Sequence, residues 1–223
     1  MTYILHLETS TKVCSVALSK SGQLIAIKEI NEENYSHAEN ITLFIEDVLK
    51  QANINVKELN AVSVSSGPGS YTGLRIGVST AKGLCYPLNI PLIAIDSLLA
   101  LSEIARVEYP NSNLCPLIDA RRMEVFNAIY NDKREQIKPI SADIIEENSY
   151  SQFEPFIYFG DGAMKLQEIW STKSCEIDST ILSSAKGQTS IAYKKYLAKD
   201  FVDVAYFEPF YLKDFVAGKK VEK

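Results

Sequence analysis

The chain has 223 residues, of which 46% are apolar and 23% charged, and its net charge is −5. That composition excludes bulk disorder and supplies core enough for one large domain or two small lobes. It also leaves no global basic footprint for nucleic acid, and no apolar run approaches the roughly 20 residues that cross a bilayer.

Three β-rich runs come first, Tyr3–Leu7, Val13–Ser19 and Gln23–Ile30, with the hairpin signal SKSGQ between the last two. The opening MTYILHLETS lacks a basic start and reads as a first strand, not a signal peptide. The stretch YSHAENITLFIEDVLKQANI predicts a helix. Ser36 and Glu39 form a capping-box pattern, and Ile41, Phe44, Ile45, Val48, Leu49 and Ala52 recur at helical spacing. Leu43 lies about 200° round from Ile41, off that stripe. LNAVSVSS is a fourth strand running into the loop SSGPGSYTGLRIG, and a second helix follows from about Thr72 to Tyr86. PLIAI is a fifth strand and Ser97–Val107 a third helix. The order β-β-β-α-β-α-β-α implies parallel neighbours joined by right-handed crossovers. The segment VEYPNSN reads as a seam that divides the chain into 1–108 and 109–223.

Beyond the seam, LCPLIDA and EVFNAIY read as strands around a charged turn at Arg121–Arg122, and QIKPI as a weaker strand. PFIYFGDGA is a strand ending in a glycine turn, MKLQEIW a short helix, and Ser184–Lys199 a longer one. AGKKVEK reads as a frayed tail. The second half is a weaker echo of the first.

The glycine loop admits two readings. A phosphate-binding Walker loop places Lys after its last glycine, whereas Leu74 and Arg75 follow Gly73 here. The dinucleotide fingerprint is one residue shorter than the spacing of Gly67, Gly69 and Gly73. An anion could still sit at the helix start, with Glu8, Thr9 and Ser10 of LETST beside Gly67 and Gly69. The alternative for LETST is a hydroxyl-capped turn. The other reading of the loop is close packing. Gly73, Gly77, Thr80 and Leu84 fall within about 60° on one side of the second helix, where another helix could approach. Glycine costs roughly 1 kcal/mol against alanine inside a helix, so Gly77 and Gly83 need a compensation. Arg75, Ser79, Lys82 and Tyr86 make a second side that reads by default as solvated.

Cys14, Cys85, Cys115 and Cys175 are widely spaced without a Cys-x-x-Cys pair and read as reduced thiols of a cytoplasmic protein. The two histidines, His6 and His37, lie 31 positions apart, which argues against a His-rich metal site. No Gly-x-Ser-x-Gly elbow is present to suggest a hydrolase.

LETSTKVCSVALS, SSGPGSYTGLRIGVSTAKGL, IDSLLAL and IDARRMEVFNAIY together resemble the TsaB (YeaZ) family. The resemblance runs through most of residues 3–130; beyond that, only GDGA and EPFYLK echo it. It implies a two-lobed, α/β, actin-like ATPase (ribonuclease H-like) fold with a degenerate second lobe. It further implies a cytoplasmic, non-catalytic subunit for threonylcarbamoyladenosine formation at position 37 of tRNAs reading codons that start with A. The catalyst would be the paralogue TsaD, paired with this chain as a heterodimer, and TsaE would join a ternary complex. No cofactor, metal or membrane is implied, tRNA is met only indirectly, and a homodimer forms when TsaD is absent. TsaD carries a His-x-x-x-His pair at the start of its third helix, where this chain has Ser97 and Leu101. Glu8 stands where the family usually has Asp. Helices 1 and 2 pair with their counterparts in TsaD, which makes His37, Leu43, Gly73, Arg75, Gly77, Thr80, Lys82 and Leu84 the expected docking residues. Arg121 and Arg122 are assigned to the turn rather than to RNA. The competing expectation is an ATP-binding phosphotransferase or ATPase of the same fold, using Glu8, Thr9 and the glycine loop.

Overall fold

Alternation along each strand decides how the first lobe is layered. In the computed structural model, which describes residues 1–32 and 37–213, β1 (Tyr3–Glu8), β2 (Val13–Lys20), β3 (Gln23–Asn31), β4 (Ala61–Gly67) and β5 (Leu92–Asp96) form one sheet in the order β3-β2-β1-β4-β5. β1 pairs antiparallel with β2 and parallel with β4, and β4 is parallel to β5. Leu5, Leu7, Val16, Leu18, Val62 and Val64 all point to one face. That face is roofed by α1 (His37–Ala52) and α2 (Tyr71–Leu88). α1 buries Ile41, Phe44, Ile45, Val48 and Leu49, the stripe its periodicity predicts. The proposed Ser36 cap lies outside the described residues. Ser70 caps α2 by accepting from Gly73 N, and Asn89 ends it in left-handed backbone.

The other face of the sheet is mixed: His6, Glu8, Ser15, Ser19, Ser63 and Ser65 are buried there beside Ile4, Ile93 and Ile95. It is covered by α3 (Ser97–Glu108), by a 3-10 turn at Ala185–Gln188 and by α4 (Thr189–Ala198). The expected single helix Ser184–Lys199 is therefore divided, and it lies on the first sheet, not in the second lobe. Gly187 permits this approach, since a Cβ there would stand 2.1 Å from Ala100 O.

The second sheet contains β6 (Asn113–Asp119), β7 (Glu124–Tyr130), β8 (Gln136–Ile144), β9 (Phe156–Phe159) and β10 (Cys175–Asp178) in the order β10-β9-β6-β7-β8. Strand for strand this repeats the first sheet, with β6, β7, β8, β9 and β10 in the places of β1 to β5. The helices are what the echo lacks. Where α1 and α2 stand in the first lobe, the second has short 3-10 turns at Ser151–Phe153 and Ala163–Leu166. The expected helix MKLQEIW is the latter turn, continued by irregular turns to Trp170. Trp170 is buried edge-on to Tyr150, Phe156 and Tyr158, with centroids 5.0–5.8 Å away.

The seam is held by one buried arginine. Arg106, near the end of α3, donates to the carbonyls of Tyr109, Pro110, Ser112 and Asn131. After α4 the chain returns across the first lobe. Val202 N donates to Leu92 O and Phe210 N to Ser66 O, and Lys213 reaches Glu124 of the second lobe. No helix among the described residues is long and apolar enough to cross a membrane.

Candidate functional site

The residues expected to hold an anion do converge. Glu8 ends β1, and the turn Thr9–Thr11 meets the glycine loop that leaves β4. Most of their polar groups are spent on one another, although the buried Ser10 hydroxyl has no hydrogen-bond partner among the described residues. Glu8 accepts from Ser10 N at 2.7 Å and from the Ser65 hydroxyl. The Thr9 hydroxyl donates to Gly73 O at 2.8 Å, and Ser70 N donates to Ser10 O at 2.6 Å. A Cβ on Gly69 would stand 2.4 Å from Ser10 O. Gly67, at φ +114°, would meet Phe210 O at 2.4 Å. The loop is thus clamped between the β1–β2 turn and the returning C-terminal chain.

Behind Glu8 runs a buried hydrogen-bond chain that the sequence did not disclose. The Ser63 hydroxyl donates to Gln188 Oε1 at 2.7 Å, so it accepts from His6 Nδ1–H at 2.6 Å. His6 Nε2 then accepts from the Ser19 hydroxyl at 2.7 Å. Gln188 Nε2 donates to Leu7 O and to Ser65 Oγ, and Ser65 donates on to Glu8. The donors all run one way, from Ser19 to the Glu8 carboxylate. Burial pushes the His6 pKa down to about 3, so the ring is neutral, as this pattern requires. His6 fills an interior position and bolts the sheet to Gln188.

The expected docking residues separate into three groups. Gly73, Gly77 and His37 are interior, which corrects the expectation of a free small-residue side. A Cβ on Gly73 would lie 2.1 Å from Thr9 O, and one on Gly77 2.4 Å from Thr9 Oγ1 and 3.3 Å from Val64. The element that approaches α2 closely is the chain's own β1–β2 turn. His37 is 1% exposed, and its Nε2 donates to Thr11 O at 2.8 Å. Arg75 and Lys82 are engaged by the C-terminal chain. Arg75 Nε donates to Tyr211 OH at 3.2 Å with its guanidinium 4.1 Å over the Tyr71 ring, and Lys82 donates to Ala205 O at 3.0 Å. A cavity of about 260 Å³ separates this side of α2 from Phe207–Tyr211. Leu43, 56% exposed, remains outward, with Thr80 and Leu84 partly so.

Gly83 and Tyr86 extend the outward face of α2. Tyr86 is 81% exposed, and a Cβ on Gly83 would meet nothing within 4 Å. Its helix-interior cost was the signal for Gly83, and no contact among the described residues offsets it. Gly83→Ala is expected to stabilise the isolated chain by about 1 kcal/mol, read as a higher urea midpoint.

At the start of α3, Asp96 caps the helix by accepting from Leu99 N at 2.8 Å, and burial raises its pKa to about 6. Ser97 and Leu101 are 2% and 1% exposed, and Leu101 belongs to the core shared with the second sheet. Among the described residues no group of three His, Cys, Asp or Glu side chains is placed to hold a metal. A larger inter-lobe cavity, about 1050 Å³, is lined by Glu29, Arg106, Arg134, Asp178 and Lys186 and by none of the expected anion residues.

The family model described as TsaD, tRNA N6-adenosine threonylcarbamoyltransferase, matches residues 31–217. A Haemophilus influenzae protein named tRNA threonylcarbamoyladenosine biosynthesis protein TsaB is 28% identical, over 98% of this chain and 96% of its own length. A protein of the same name from Buchnera aphidicola subsp. Schizaphis graminum is 30% identical over 76% of this chain and 83% of its own. The structure of YeaZ from Pseudomonas aeruginosa superposes with a TM-score of 0.79 at 25% identity, covering 95% of this chain and all of that one.

Proposed function

Because the chain belongs to the TsaB (YeaZ) family, within the reach of the TsaD family model and with an actin-like ATPase fold, we propose that it is the non-catalytic partner of the TsaD transferase. Together they form threonylcarbamoyladenosine at position 37 of tRNAs that read codons starting with A. The observation that carries this reading is the start of α3. On the family resemblance the paired histidines of TsaD fall at Ser97 and Leu101 here; both are buried, and neither can supply an imidazole. The packed glycine loop supports the same reading, since a phosphate turn closed by its own chain has little to offer ATP.

Leu43, Thr80, Gly83, Leu84 and Tyr86 supply the docking surface on α1 and α2. TsaD covers it in the heterodimer, TsaE joins the assembled pair, and a second copy of this chain covers it when TsaD is absent. The experiment is co-purification of the tagged chain with the TsaD of its own genome. A stoichiometric complex is expected, and Gly83→Leu should weaken it by about tenfold or more, as a bulky side chain does at a close helix contact. A wild-type chain that recovers no TsaD contradicts the proposal. A Gly83→Leu chain that binds normally moves the docking surface elsewhere.

A further inference from the structure

The β6–β7 hairpin carries charge that the role above leaves unused. At its tip, Arg121 and Arg122 both hold left-handed backbone, at φ 69° and 54°. Residues with a Cβ are disfavoured there, and glycine is not. Both arginines are exposed. The neighbouring cations are spent, Lys165 on Asp119 and Lys213 on Glu124. Among the described residues no ion pair or hydrogen bond engages the side chain of Arg121 or Arg122; Arg121 bonds Asp119 Oδ1 through its backbone N–H alone. Asp161 accepts from Asp119 N at 3.0 Å at the base of the hairpin. Two exposed, unpaired guanidinium groups therefore stand side by side at its tip, on a chain of net charge −5.

We propose that Arg121 and Arg122 grip backbone phosphates of the tRNA that the complex modifies. The proposal rests on the function argued above, and it revises the expectation that tRNA is met only through the partner. Guanidinium forks bind phosphate oxygens in pairs, and such contacts position a nucleic acid without reading its sequence. Two adjacent guanidinium groups suit a polyanion with a charge at every unit better than a single carboxylate.

The test uses the complex assembled with TsaD and an unmodified tRNA transcript bearing adenosine 37, with binding followed by fluorescence anisotropy across a salt series. For Arg121→Gln/Arg122→Gln, assembly should be unchanged and tRNA affinity should fall about tenfold at low salt. The slope of log affinity against log salt should become shallower by about one to two. Arg121→Gly/Arg122→Gly should lose the same affinity at a melting temperature no lower than wild type, because the backbone is relieved. Unchanged affinity and slope in the glutamine variant would overturn the proposal. So would failed assembly of that variant, which would make the tip a protein contact. A wild-type chain that forms no complex would overturn the function itself, an outcome visible before any tRNA is added.

Discussion

Gly73→Ala is expected to destabilise the chain by about 3 kcal/mol or more, the upper range for overpacking a filled interior. The added methyl would stand 2.1 Å from Thr9 O and 3.3 Å from both His37 Cδ2 and Ser70 Cβ. The nearest of these is backbone, so no side-chain rotation relieves it. Thr9 also cannot retreat cheaply, because its hydroxyl donates to Gly73 O and its neighbour Ser10 accepts from Ser70 N. Gly77→Ala meets the Thr9 side chain instead and should cost less. Urea unfolding of the isolated chain measures both. A loss under about 1 kcal/mol for Gly73→Ala would show that turn and loop are not in close contact. One consequence concerns binding experiments: if Gly73 or Gly77 variants fail to hold TsaD, the failure reports the chain's own folding. Gly83 carries no such ambiguity.

Gln188→Leu should cost about 3–5 kcal/mol. The leucine fills similar space but leaves Ser63 Oγ–H without its acceptor and Leu7 O without its donor, while Ser65 Oγ loses the amide it accepts from. Each buried polar group left unsatisfied costs about 1–3 kcal/mol. Gln188 is fully buried and couples the C-terminal segment to the first sheet, so the loss should appear as one cooperative shift of the unfolding midpoint. A variant within about 1 kcal/mol of wild type would mean that water or a rearranged neighbour replaces the amide, and that the one-way chain from Ser19 to Glu8 is not a unit.

Much of the first lobe was legible because its signals are local. Ile41, Phe44, Ile45, Val48 and Leu49 declare α1 by their spacing alone, and all are buried. The order of elements up to α3 follows in the same way. β10 was missed because Cys175–Asp178 is four residues long, with polar neighbours and no alternation to read. The small side of α2 was visible, but its occupant was not. Thr9 lies 64 positions before Gly73, and only the parallel pairing of β1 with β4 brings its turn onto the helix. Arg75 and Lys82 read as a solvated side because Tyr211 and Ala205 lie more than 120 positions downstream. The hydrogen-bond chain through His6 was hidden for the same reason, since Ser63 and Gln188 are 125 positions apart. Glu8 was recognisable as a carboxylate after a strand, but whether its turn was open or filled depended on Ser65, Gly69 and Phe210 together.

The measurement closest to the central claim is reconstitution of threonylcarbamoyladenosine formation from purified TsaD, TsaE and the enzyme that makes the threonylcarbamoyl donor, with and without this chain. The account predicts no activity from the chain by itself, full modification when it is present with TsaD, and loss of modification when it is left out. Undiminished modification in its absence, or transfer by the chain without TsaD, would contradict it.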